Sequence, residues 1–138
     1  MHALRSRLLA RRSLACYRLT SPEARNRAGV DTSGVNGAGA VGAIKVKGAN
    51  SGAPSATLVT TGNNSLVFGV GNDWNHAIPR TVGPNQALVH QFLAPVDDTY
   101  WVQRFVAPIP ASGTSVTLSD VAPTADQWNL AVVEIVAP

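Results

Sequence analysis

Apolar and polar residues alternate with a period of two over most of the second half of the chain. Tyr100 to Ala107 sets Trp101, Gln103 and Phe105 against Tyr100, Val102, Arg104 and Val106. Trp128 to Val136 sets Leu130, Val132, Glu134 and Val136 against Asn129, Ala131, Val133 and Ile135. Ala87 to Ala94 sets Leu88, His90 and Phe92 against Val89, Gln91 and Leu93, and Thr114 to Ser119 sets Val116 and Leu118 against Thr and Ser. This period is that of half-buried strands. Ser65 to Gly71 and the short Ala56 to Thr60 add two more strands, and Ala40 to Lys47 a weak one in a stretch rich in Gly and Ala. The runs are separated by Thr61-Gly62-Asn63-Asn64, Gly83-Pro84-Asn85 and Asp97-Asp98-Thr99, which are turn chemistry. No Gly-rich turn leads into a long helix. The pattern predicts an all-β fold, an antiparallel two-sheet sandwich.

The first 30 residues differ. They hold seven arginines (Arg5, Arg7, Arg11, Arg12, Arg18, Arg25 and Arg27) and one acid, Glu23, for a charge of +6. From Asp31 onward there are four basic and seven acidic residues, for a charge of −3. The domains expected are a basic head over 1–28, helical or disordered, and a β-sandwich over 29–138. Residues 4–19 can be helical, with Leu4, Leu8 and Leu9 near one face. Arg11 and Arg12 break the apolar run that a signal peptide needs. No apolar run approaches the roughly 18 residues of a transmembrane helix. Cys16 is the single cysteine, so no intrachain disulfide forms. Charged residues make up 14% of the chain, against a usual figure of about 25%. The surface is therefore neutral and hydrogen-bonding.

Candidate chemistry is sparse. Trp101 and Trp128 lie within strands and read as core, each with its indole N–H on a partner. Trp74 lies in the polar stretch Asn72-Asp73-Trp74-Asn75-His76, as a lid on the sandwich end or as an exposed platform for a sugar ring or a partner. These five residues are the candidate ligand site. His76 and His90, with Asp73, Asp97, Asp98, Asp120 and Asp126, are the material for a metal or catalytic site, but they spell no HxxxH, HExxH, CxxC or calcium-loop pattern. No cofactor is expected. Structural calcium in an Asp-bearing loop is the secondary option, because carboxylates and Asn carbonyls are hard ligands. No nucleophile elbow is present, and a catalytic role is not expected. Arg80 is expected to pair with Asp73 across its loop and Arg104 with a cross-strand acid, as exposed pairs worth at most about 1 kcal/mol. Neither belongs to a basic stripe, so nucleic acid is not an expected partner of the sandwich.

Several segments together resemble a β-sandwich module, jelly-roll or immunoglobulin-like, of secreted and surface proteins of environmental bacteria. They are Ser51-Gly52-Ala53-Pro54, Asn64 to Trp74, Arg80 to Gln86, Val89-His90-Gln91, Tyr100 to Arg104 and Trp128 to Ile135. The resemblance covers residues 29–138 and brings no established chemistry. It implies an extracellular or cell-surface setting and a non-catalytic structural or adhesive role with protein or glycan partners. The alternative is a carbohydrate-binding module using Trp74 and its Asn-rich loop. Such modules carry Val, Ser and Thr strands ahead of a segment like Val30-Asp31-Thr32-Ser33-Gly34, where this chain has its basic head. The sandwich is therefore expected to be incomplete at its N-terminus, with self-association through exposed sheet edges.

Overall fold

A computed structural model describes residues 40–137. The basic head over 1–28, its helix over 4–19, the boundary at 28/29 and the strands expected to be missing ahead of the sandwich fall outside these residues. Eight strands follow in order: β1 (Val41–Ala49), β2 (Ser55–Val59), β3 (Leu66–Asp73), β4 (Thr81–Val82), β5 (Gln86–Leu93), β6 (Thr99–Phe105), β7 (Ser115–Ala122) and β8 (Trp128–Ile135). They form two antiparallel sheets, β1-β8-β3-β6-β5 and β2-β7-β4. The fold is the all-β two-sheet sandwich that the alternation predicts. Among the described residues, no helix is long and apolar enough to cross a membrane.

Between the sheets lie Ala56 and Leu58 of β2, Val67 of β3, Trp101 of β6, Val116 and Leu118 of β7, and Trp128, Leu130 and Val132 of β8, with Ile109 from the β6–β7 connection. These are the inward positions of the alternating strands, since directly opposed residues share a face. Ala56 opposes Leu118, and Leu58 opposes Val116. Outside, the opposed pair Thr57 and Thr117 shares a 2.7 Å hydroxyl hydrogen bond. Gly71 opposes both Trp101 and Leu130. A Cβ there would overlap the Trp101 indole. The missing side chain is what allows that large ring to lie flat between the sheets.

Two local readings are corrected. β5 carries a bulge: from Leu88 to His90 it advances two residues while β6 advances one, from Gln103 to Val102. The extra residue reverses the phase. Leu88 packs on the core, but His90 and Phe92 face outward, Phe92 being 53% exposed. β7 runs past the expected end at Ser119 to Ala122, so Asp120 is an inward strand residue. β4, two residues long, is too short to show a period.

The end where β1 begins and β8 finishes is tied by one carboxylate. Glu134 is fully buried and accepts hydrogen bonds from Ala43 N at 2.8 Å, Thr61 N at 2.9 Å, Thr61 Oγ1 at 2.8 Å and Gly62 N at 3.0 Å. β1 shifts register between Val41 and Ile44, which turns Ala43 N toward this carboxylate. A Cβ on Gly42 would collide with it. Burial alone would raise the Glu134 pKa. Its hydrogen bonds, among them those from the backbone of Ala43, Gly62 and Thr61, outweigh it and hold the group at about 2.

Candidate ligand site at the loop end of the sandwich

The opposite end gathers the β1–β2, β3–β4, β5–β6 and β7–β8 connections. They are fastened to one another by polar contacts. Gly52 N donates to Thr124 O at 2.9 Å. Ala77 N donates to Asp97 Oδ1 at 2.9 Å, which ties the β3–β4 loop to the β5–β6 turn. Thr99 Oγ1, fully buried at the start of β6, donates toward the carbonyls of His76 and Ile78, each at 3.1 Å, and accepts from Ile78 N. Asp97 holds a φ of +72° in its turn, a conformation that Asp tolerates better than most residues. The expected Asp97-Asp98 hairpin turn is there, closed by Ala94 N on Asp98 O at 2.8 Å.

Beneath these loops lies a buried ionic frame. Asp73 ends β3 facing inward and fully buried, and its Oδ2 accepts from Arg80 Nη2 at 2.5 Å. Its Oδ1 accepts from Asn75 N at 2.8 Å and, more weakly, from His76 N at 3.4 Å. The Arg80 guanidinium lies 4.2 Å above the Trp101 ring, a cation–π stack inside the protein. Trp101 Nε1 in turn donates to Gln103 Oε1 at 2.7 Å, and Gln103 Nε2 to Gln86 Oε1 at 2.9 Å. Arg80 therefore pairs with Asp73 as expected, but the pair is buried and not at the surface.

Asp120 is the second carboxyl of this frame, 3.9 Å from Arg80 Nε and 3% exposed. Neither of its oxygens has a hydrogen-bond partner among the described residues. Burial pushes its pKa up to about 7, against the opposing pull of the Arg80 charge. One cation between two buried carboxyls is least costly when one of them is protonated. From its ordinary 3.8 up to about 7, the folded chain holds a proton that the unfolded chain releases. Stability from this group is therefore present at low pH and lost as pH rises through that window. Glu134 acts the other way: its contribution is present above 4.5 and lost as pH falls toward 2. A thermal scan over pH should peak between about pH 4 and 5. Asp120→Asn should remove the fall on the neutral side, on the order of 3 kcal/mol, and leave the acid side unchanged.

The five candidate residues separate into support and display. Asp73 positions the loop from below and does not reach solvent. Asn72 lies half-buried on the outer sheet face, and its side-chain amide donates to Asp73 O and Thr99 O at 3.4 Å each. Trp74, Asn75 and His76 are exposed at the loop crest, Trp74 at 44%. Trp74 thus keeps much of its ring in solvent at the loop crest. His76 Nδ1 lies 3.0 Å from Asp126 Oδ1, whose side chain is 6% exposed. An ionised carboxylate only accepts, so opposite one Nδ1 carries the hydrogen. This contact joins residues 50 positions apart, and no spacing in the sequence signals it.

Other expectations resolve simply. Trp101 finds its partner, whereas Trp128 Nε1 has none among the described residues. Among the described residues Arg104 meets no cross-strand acid; its Nη1 donates to the carbonyls of Phe105 at 2.9 Å and Val106 at 3.0 Å. Among the described residues, no group of three or more His, Cys, Asp or Glu side chains is placed to hold a metal ion. No family model matches the chain, and no curated protein or solved structure is significantly similar to it.

Proposed function

We propose that the domain is a non-catalytic adhesive module that binds carbohydrate at the loop end, with Trp74 as the platform. The observation that carries this reading is a large aromatic ring, 44% exposed, on a loop crest whose base is fixed by a buried ion pair. A sugar presents a C–H face that stacks on an indole and hydroxyls that seek amides and imidazoles. Asn75 and His76 follow Trp74 on the same exposed loop and supply those groups. Holding them from beneath reduces the ordering cost of binding. Nucleic acid fits less well, because Arg80 is buried and Arg104 is engaged with backbone carbonyls. In this reading the chain works outside the cell or at a bacterial surface, the setting that the segment resemblance implies.

The test is a glycan array probed with the full chain and with Trp74→Ala. A specific set of glycans should bind, and the variant should lose roughly tenfold or more in affinity. His76→Ala should lose less. Unchanged binding in Trp74→Ala would move the site elsewhere.

A further inference from the structure

A second surface lies away from the loops. The strand registers place one row of Val46, Ala131, Val70, Val102 and His90 across the outer face of the five-stranded sheet. A neighbouring row holds Ile44, Val133, Phe68, Arg104 and Ala87. Ile44 is 63% exposed, Val46 65% and Val70 55%. Apolar side chains thus continue across the face, with Arg104 and His90 confined to its β5–β6 side. A patch of this extent is as large as the largest that a typical monomer carries, and such patches are often contact surfaces.

We propose that this face binds a second copy of the same chain, sheet against sheet. A two-fold contact needs only a surface complementary to itself. This one is, because its centre has no charge to repel its own image, and the Arg104 guanidinium is drawn off to the carbonyls of Phe105 and Val106. The lysines of β1 do not interfere: Lys45 and Lys47 oppose Val132 and Leu130, which places them on the inner side of the sheet. Those inward lysines on one edge and the β5 bulge on the other are devices that block strand addition. The proposed association is therefore through this face and not through the edges of its own sheet at β1 and β5. Five strands by six residues give a footprint of roughly 24 by 20 Å, on the order of 500 Å² per copy. The pair would bury about 1,000 Å², enough for a reversible dimer but not an obligate one. Two copies would carry two loop ends, and bivalence would raise the avidity of an adhesive module without new contacts.

Sedimentation equilibrium of the full chain, under reducing conditions so that Cys16 cannot cross-link it, tests this. The chain should pass from monomer to dimer between about 1 μM and 1 mM, the range of weak specific contacts. Val70→Lys and Val46→Lys should each weaken the dimer tenfold or more while keeping the wild-type circular dichroism. Val96→Lys, at a loop-end residue 75% exposed, should not. A dimer unaffected by both face variants overturns the proposal. So does a monomer at every concentration. In that case a nitroxide on Cys16 says what covers the face: broadened β3 and β6 amides would assign it to the chain's own N-terminal segment, and sharp ones to nothing in this chain. Glycan binding by Trp74 is read separately, so either proposal can fail alone.

Discussion

Arg80→Ala should cost roughly 3–5 kcal/mol, the largest loss expected of any single substitution in the frame. The change leaves Asp73 and Asp120 buried with no cation between them, and it strips the guanidinium from the face of Trp101. At this chain length the loss corresponds to a fall in Tm of about 15 °C or more. Pairing it with Asp73→Asn should restore part of the stability, because the second change removes the stranded charge. That coupling, measured by urea denaturation of the two single variants and the double variant, separates the buried charge from simple loss of packing. A loss below about 1 kcal/mol would return the pair to the surface class.

Glu134→Gln should cost about 3 kcal/mol, for a different reason. The glutamate accepts from four donors on two segments, β1 and the β2–β3 connection, and an amide in its place turns an N–H₂ group toward some of them. Donor would face donor in a buried site. The pH dependence is diagnostic. The wild-type advantage is present above pH 4.5 and fades as pH falls toward 2, so melting curves of the two proteins should converge in acid. A gap that persists at pH 2 would mean that the variant loses packing and not the charge.

The strands were legible in proportion to their regularity. In β6 and β8 the alternation places Trp101, Gln103, Leu130, Val132 and Glu134 on the inward side, as found. Glu134 and Gln103 look like surface residues by polarity, yet each occupies an inward position and meets its partners there. The period could not say how far β7 continues, because Asp120 reads as the start of a loop until its burial is seen. Nor could it locate the β5 bulge, which has no signature residue and inverts every position after Val89. β8 also has a second apolar set, Ala131, Val133 and Ile135, on its outer side. Alternation marks two faces without saying that both are apolar enough to be covered.

The candidate site was legible as a loop and not as a device. Asn72-Asp73-Trp74-Asn75-His76 stands out because small polar residues surround a tryptophan. The depth of Asp73 depends on β3 lying between β6 and β8 and on Arg80 folding back onto it. The Asp126 contact depends on a connection 50 residues away, and the Thr99 clasp on one 21 to 23 residues away. Such contacts arise from the sheet order, which local sequence does not encode. The Arg80–Asp73 pair was expected from proximity alone. Its burial, and hence its importance, came from Trp101 lying beneath it.

The most direct test of the loop end as the ligand surface is an NMR titration of the ¹⁵N-labelled full chain with a glycan selected on the array. Saturable shifts should centre on the Trp74 indole N–H and on the amides of Asn75 and His76, with the outer-face amides of β3 and β6 unmoved. Shifts centred on that outer face, or no saturable shift with any array glycan, would contradict the account.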